Sequence, residues 1–143
     1  MHLRELACFV LSLLLLAGCA RKPDEQRIRD AVAAMQSAME AGSPRDFMAY
    51  VTRDFTGNDG TVDHDGLANL MRAMLLRNDK VGVSLGPIDI EVQGTRAKMH
   101  VIATFTGGAG LIPEHGAIYS IDSGWRREGS DWRVYFAKWE QKL

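Results

Sequence analysis

The first half of the chain carries apolar residues at helical spacing. An amphipathic helix is predicted from about Asp24 to Ala41, where Gly42 ends it. Its apolar face, with spacings of four, three and four residues, comprises Ile28, Val32, Met35 and Met39. Ser43 and Pro44 then predict a new start, as N-cap and first helical residue. The apolar residues of this short second helix are Phe47, Met48, Tyr50 and Val51.

A turn-rich connection over residues 56–66 precedes a third predicted helix. Its apolar positions follow the i, i+3, i+4, i+7, i+8 pattern of a helix with one buried face. These residues are Leu67, Leu70, Met71, Met74 and Leu75. Arg77, near the predicted end, is favoured there by the helix dipole.

From Val81 onward the apolar period changes to two, which predicts strands. The apolar residues first occupy odd positions (81, 83, 85) and then even ones (88, 90, 92). A strand cannot change faces without an extra residue, so a bulge or sharp bend is predicted at Gly86-Pro87. Gln93-Gly94 is a predicted hairpin turn.

Three further strands are predicted over about residues 95–106, 116–128 and 131–141. A glycine-rich loop at 107–113 and a turn at Gly129-Ser130 join them. In the first of these strands the apolar odd-numbered residues should face the helices, which directs Lys98 and His100 outward. The same reasoning directs Asp122 outward in the next strand, and Asp89 reads as a solvated carboxylate. Helices followed by hairpin-connected strands indicate an α+β fold.

Several short motifs carry a resemblance to a known fold. They are Ser-Pro-Arg-Asp-Phe at 43–47, Asp54-Phe55, Gly124-Trp125-Arg126 and Asp131-Trp132-Arg133-Val134. Over roughly residues 24–142 the chain resembles the nuclear transport factor 2-like (SnoaL-like) superfamily. The resemblance implies a cone, in which three N-terminal helices pack on a strongly curved, mostly antiparallel sheet with a pocket at its wide end. That superfamily includes isomerases, dehydratases and polyketide cyclases, and also binding modules without catalysis, so the fold does not choose the function.

The N-terminal residues indicate export. Residues 8–17 are almost wholly apolar, too short for a transmembrane helix but typical of a signal peptide. Leu16-Ala17-Gly18-Cys19 resembles the lipobox of bacterial lipoproteins, which implies removal of residues 1–18 and acylation of Cys19, for instance with palmitate. Residues 19–25 would form the lipidated cysteine and a polar tether, and residues 26–143 the domain. The alternative is an ordinary secretory signal with cysteine at this place.

The residue after the cysteine bears on location. Ala20 stands there and not Asp, which in lipoproteins of Gram-negative bacteria implies the periplasmic face of the outer membrane. Cys8 and Cys19 are the chain's two cysteines, so the predicted domain has neither a disulfide framework nor a cysteine-based metal site. The formal net charge of −1 gives no sign of nucleic-acid binding, which normally requires a basic surface.

Two segments suggest chemistry but fit simpler structural roles. The acidic stretch around Asp63, His64 and Asp65 does not fit a calcium loop, because Thr61 and Arg72 would occupy the first and twelfth ligand positions. Capping of the third helix by Asp63 or Asp65 explains it better. Residues 107–110 lack the Lys-Ser/Thr of a phosphate-binding loop. No metal and no cofactor is therefore predicted.

The aromatic residues are the remaining candidates for function. Most should be core, but on the predicted faces some would line an apolar ligand pocket: Tyr50, Phe55, Phe105, Tyr119 and Trp125. No carboxylate or imidazole is predicted to point inward, so the pattern favours binding of a small apolar ligand or a protein partner, with no catalytic residue. The alternative is a SnoaL-like isomerase, dehydratase or cyclase using Tyr with Asp or His. Ile102 and Ile118 on the outer sheet face allow a homodimer.

Overall fold

Three helices and seven strands make up the part of the chain that the structure describes. The structure is a computed structural model and describes residues 22–108 and 115–143. In chain order the elements are α1 Asp24–Glu40, α2 Pro44–Met48, β1 Val51–Gly57, β2 Val62–Asp63, α3 His64–Arg77, β3 Lys80–Leu85, β4 Asp89–Gln93, β5 Arg96–Gly108, β6 His115–Glu128 and β7 Asp131–Gln141. Within these ranges no helix is both long and apolar enough to cross a membrane. The predicted signal peptide and Cys19 lie outside the described residues.

The helix boundaries follow from local chemistry. Gly42, with φ of 71°, ends α1 in the left-handed conformation that favours glycine. The Ser43 side chain accepts a hydrogen bond from the Asp46 amide at 3.3 Å, and Pro44 is the first residue of α2. Asp63 caps α3 by accepting a hydrogen bond from the Gly66 amide at 2.7 Å. The predicted capping residues are thus confirmed, and capping accounts for Asp63 in the acidic stretch.

The cap of α3 makes a testable contribution to stability. Asp63→Ala leaves an amide of the first turn without its partner, so we expect the free energy of unfolding to fall by about 1 kcal/mol. Urea denaturation followed by circular dichroism measures this change. Asp63→Asn is the matched control, since its amide oxygen can still accept the hydrogen bond. A loss in Asp63→Asn as large as in Asp63→Ala would contradict the capping role.

The strands form one seven-stranded sheet with the order β2-β1-β7-β6-β5-β3. Strand β4 also pairs with β5, along residues 96–100, whereas β3 pairs with residues 103–108 of β5. Only the β1–β7 pairing is parallel among the described strands. The predicted mostly antiparallel α+β sheet, with three helices packed on it, is therefore confirmed. Gly129, with φ of 63°, lies in the predicted turn between β6 and β7.

The apolar residues change from odd to even positions between β3 and β4 because a β-bulge lies there, as predicted. Leu85 pairs with Ala103, and Asp89 pairs with His100. Residues 86–88 therefore stand opposite only residues 101 and 102, which leaves one extra residue and exchanges the two faces. Gly86 donates its amide to the Ile102 carbonyl at 2.9 Å. Ile88, Ile90 and Val92 consequently pack on the core, like Val81 and Val83 before the bulge.

Several sequence predictions were wrong in detail. Residues 51–57 form β1, whereas the sequence pattern predicts Val51 in the second helix and a connection over residues 56–66. Helix α2 ends at Met48. Strand β1 was missed because its burial does not alternate; its register against β7 shifts between Val51 and Thr56. The hairpin turn after β4 lies at residues 94–95, one residue later than predicted, and β5 continues through Gly108. Leu70, assigned to the buried face of α3, is 52% exposed.

The core lies between the helices and one face of the sheet. From α1 it takes Ile28 and Val32, and from the sheet Met99, Val101 and Trp125, all in one buried cluster. A second cluster joins Met39 and Met71 of the helices to Val81 and Val83 of β3. We call this side the inner face and the opposite side the outer face. The predicted facing of β5 is confirmed, since Ala97 and Ala103 are also buried and Lys98 is exposed.

Candidate functional site

A groove of about 560 Å³ lies on the outer face of the sheet. We call it the outer groove. Cross-strand pairing builds it from two neighbouring rows of side chains. The first row runs Asp89, His100 and Asp122, and Lys138 continues it on β7 without lining the groove. The second row runs Glu91, Lys98, Gly124 and Phe136. Acidic and basic side chains alternate between neighbouring strands, an arrangement that favours pairing across the sheet.

His100 and Asp122 form a hydrogen-bonded pair within the groove. His100 Nδ1 and Asp122 Oδ1 are 2.7 Å apart, and the two side chains are 43% and 64% exposed. A carboxylate can only accept, so Nδ1 carries the donated proton, and in the neutral ring Nε2 is then an acceptor. Both residues point outward, as the alternation predicted. The pair can orient an imidazole toward a bound group, but it does so in contact with water, where electrostatic effects are weak.

Tyr135 closes one end of the outer groove. Gly124 pairs with Phe136 whereas Trp125 pairs with Val134, so Tyr135 is the extra residue of a bulge. A Cβ on Gly124 would stand 3.0 Å from Tyr135 Cζ, so glycine lets the ring lie over the strand. The bulge places two neighbouring aromatic residues on the outer face. This arrangement was not predicted, since both rings were assigned to the core by default.

Two guanidinium groups hold the Tyr135 ring. Arg96 and Arg126 lie 4.8 and 5.6 Å from its centroid, within the range of cation–π attraction. Arg126 is itself fixed, because it donates two hydrogen bonds to Asp54 of β1, at 3.0 and 2.8 Å. This bidentate pair holds the pKa of the Asp54 carboxyl well below its usual range and raises that of Arg126. The ring is thus presented in one orientation.

The Asp54–Arg126 pair should make stability depend on pH. A carboxyl whose pKa is lower folded than unfolded contributes stability above its unfolded pKa of about 3.9, and this is lost as the pH falls through the folded value. Below about pH 4, we expect the urea concentration at the midpoint of denaturation to fall as the pH falls. This fall should be less steep in Asp54→Asn than in the native protein. Some dependence of stability on pH should remain in Asp54→Asn, because hydrogen bonds from Gln26 and Lys22 also lower the pKa of Asp30.

The control for this prediction is Asp79→Asn. Within the described residues Asp79 has no basic group within 4.0 Å. That variant should keep the full acid dependence of the native protein. Identical pH profiles for Asp54→Asn and the native chain would show that the pair adds nothing to stability.

The five residues predicted to line an apolar pocket lie apart from the outer groove. Phe55 and Trp125 are 2% and 1% exposed and belong to the main core cluster. Tyr50 packs partly against that cluster. Phe105 and Tyr119 are half-buried and meet edge to face with their ring centroids 5.8 Å apart. The proposed ligand contact of these residues stays a prediction.

The inner faces of β5 and β6 carry no titratable side chain other than Tyr119 between residues 97–105 and 117–125. The inward residues there are otherwise aliphatic or aromatic, with Ser123 as the polar exception; its hydroxyl accepts a hydrogen bond from Trp125 Nε1 at 3.0 Å. Across residues 22–108 and 115–143, no group of three His, Cys, Asp or Glu side chains is arranged to hold a metal ion. The outer groove can bind and orient a ligand, and its hydrogen-bonded His100–Asp122 pair lies on the outer face, outside the cone.

Comparison with known proteins identifies the fold. No family model matches the sequence, and no curated protein matches it. Among solved structures, a candidate dehydratase of the nuclear transport factor 2-like family from Streptomyces avermitilis is 14% identical, with a TM-score of 0.70 over 84% of this chain and 97% of the other. A hexachlorocyclohexane dehydrochlorinase is 11% identical, with a TM-score of 0.68 over 83% and 85%.

A third structure, Bd1075 of Bdellovibrio bacteriovorus, is 9% identical with a TM-score of 0.71. The match covers 81% of this chain but only 41% of that protein's length. Identities this low establish the fold and leave the activity open. The chain has the cone-shaped nuclear transport factor 2-like fold, shared with dehydratases of the SnoaL-like type.

Proposed function

We propose that this chain is a lipid-anchored protein of the bacterial cell envelope, whose cone-shaped domain is a binding module without catalysis. Its ligand is a small apolar molecule or a protein partner, and the geometry favours a protein partner across the outer groove. The observation that carries the proposal is the pair of outward rings, Tyr135 and Phe136, set among alternating charges. Aromatic anchors surrounded by polar side chains are typical of protein–protein interfaces.

The anchor would be Cys19, acylated after removal of residues 1–18. One acyl chain alone binds a membrane only marginally, since each buried methylene contributes about 0.8 kcal/mol, whereas two or three chains hold firmly. Ala20 supports the periplasmic face of the outer membrane as the location. The domain begins close to this anchor, because α1 starts at Asp24.

A site-specific photocrosslinker tests the binding surface. The full chain, produced in its own host, would carry the crosslinking residue at Phe136 or, as the control, at Ser84. Ser84 is exposed on β3, the strand at the far edge of the sheet. We expect one discrete adduct from position 136 and none from position 84. Adducts from both positions, or from neither, would overturn the outer groove as the binding surface.

The mass of the adduct identifies the occupant. An adduct of twice the chain mass would show a homodimer through the outer sheet face, where Ile102 is 40% exposed. Any other mass would show a different partner. If position 136 yields no adduct but native mass spectrometry of the protein finds a bound small molecule, the apolar-ligand form of the proposal replaces the partner form.

The second candidate function is an isomerase, dehydratase or cyclase, and the hydrogen-bonded His100–Asp122 pair favours it. The pair would act as a general base with its orienting carboxylate. In that case a small molecule should copurify with the protein, and the molecule bound to His100→Asn should be the unconverted substrate. Lys98→Gln, two residues away on β5 in the same groove, is the control. The same molecule in His100→Asn and the native protein would exclude this role.

A further inference from the structure

A second groove, of about 660 Å³, lies between α2, α3, β1 and the β6–β7 hairpin. We call it the arginine groove after the five side chains that characterise it: Arg45, Arg53, Arg72, Arg126 and Arg133. Three carboxylates also line it, those of Asp54, Asp65 and Glu128. The groove therefore carries an excess of two positive charges when His64 is neutral, although the whole chain has a net charge of −1.

The carboxylates do not neutralise the groove evenly. Asp54 accepts hydrogen bonds from Arg126. The Glu128 carboxylate lies 3.5 Å from the Arg126 guanidinium and 3.9 Å from that of Arg133. In the described part of the chain, no carboxylate lies within 4.0 Å of Arg45, Arg53 or Arg72; Arg72 donates one hydrogen bond to the neutral Asn69. Among residues 22–108 and 115–143 no carboxylate occupies their remaining donors, which can therefore bind an anion. Guanidinium groups match the geometry of phosphate through paired hydrogen bonds.

The arginine groove lies at the end of the domain where the chain enters from Cys19. Asp24, the first residue of α1, accepts a hydrogen bond from Trp132 Nε1 at 3.1 Å and lies 3.6 Å from Arg127. Arg127 and Trp132 pair directly across the β6–β7 hairpin, and the next pair along it is Arg126 with Arg133. One residue along a strand is about 3.3 Å. The side chains of these two consecutive pairs point to opposite faces of the sheet, so the entry of the chain and the groove share the hairpin end of the domain.

The tether is short enough to hold this end of the domain against the membrane. The stretch from Cys19 to Asp24 spans at most about 17 Å when fully extended. A domain held by acyl chains on Cys19 thus keeps the hairpin end near the lipid headgroups. The arginines there meet phosphate groups at high local concentration.

We infer that the arginine groove binds the phosphate of an anionic phospholipid headgroup in the membrane that holds the protein. This inference rests on the lipid anchor of the proposed function. Binding would orient the domain on the bilayer, with the hairpin end against the headgroups.

Micelles of a nonionic detergent separate lipid recognition from anchoring. The full chain would be titrated, at constant ionic strength, with phosphatidylglycerol, with phosphatidylcholine or with inorganic phosphate, and binding measured by calorimetry. We expect binding of phosphatidylglycerol, weaker binding of phosphatidylcholine, and a loss of about tenfold or more in affinity for phosphatidylglycerol in the double variant Arg45→Gln, Arg53→Gln. The control is Arg77→Gln, Lys80→Gln, which removes two exposed cations outside the groove.

Each other outcome overturns the inference. Equal losses in the two double variants would mean nonspecific attraction. Equal binding of inorganic phosphate and phosphatidylglycerol would mean a site for a free anion, and no binding would mean no site. The mass of the purified chain reports acylation of Cys19 independently. The experiment therefore distinguishes a failure of the anchor hypothesis from a failure of the groove hypothesis.

Discussion

Trp125→Ala is expected to lower the free energy of unfolding by about 3–5 kcal/mol, a large part of the total of about 5–15 kcal/mol for a domain of this kind. The ring is 1% exposed and lies in the main core cluster. Truncation would remove its apolar contacts, leave a cavity, and strip the Ser123 hydroxyl of the hydrogen bond from Trp125 Nε1. Urea denaturation followed by far-ultraviolet circular dichroism measures the loss.

This variant also separates two roles for the ring. A residue that lines an open ligand cavity leaves little new empty volume when truncated, whereas a close-packed core residue leaves a large one. Phe136→Ala, which removes a half-buried ring from the outer face, is the comparison and should cost about 1 kcal/mol. A cost for Trp125→Ala no larger than that would support Trp125 as part of the predicted apolar pocket and contradict its role in the core.

Cys19→Ser is expected to abolish acylation completely, because the hydroxyl of serine does not replace the thiol as the acceptor of diacylglycerol in lipoproteins. The product would keep its signal or be released without an anchor. Incorporation of labelled fatty acid and the mass of the purified chain measure the effect. This is an all-or-none change in location, larger than any effect expected from a groove variant.

Cys8→Ser is the matched control, since it replaces the chain's other cysteine within the predicted signal. That variant should be cleaved and acylated as the native chain is. Labelled fatty acid in Cys19→Ser, with the protein still in the outer-membrane fraction, would contradict the anchor. Loss of label in both variants would point to a general failure of export.

The two outward rings and the arginine groove place the candidate binding features of this domain on its surface. The main core cluster contains Phe55 and Trp125, two of the five aromatic residues predicted for the pocket. Several proteins of this fold are named for reactions, such as the dehydrochlorinase. In the described strands β5 and β6, the inward positions among residues 97–105 and 117–125 carry no carboxylate or imidazole.

The sequence by itself determined the local structure and the facing of most side chains. Periods of about 3.6 and 2 located α1, α3 and the strands from β3 onward, because apolar residues must share one face to reach a core. The change from odd to even apolar positions located the bulge at Gly86-Pro87. The same alternation placed His100 and Asp122 on the outer face.

Only the tertiary structure decided which of these residues meet. Strand β1 pairs with β7, about eighty residues later, and its irregular register hides it from any period in the sequence. Asp54 and Arg126 are 72 positions apart, and His100 and Asp122 are 22 apart. Their contacts depend on the register of the paired strands, which is set by the packing of the whole sheet. Local pattern therefore assigns each side chain to a face, and the long-range pairing of strands turns those faces into grooves.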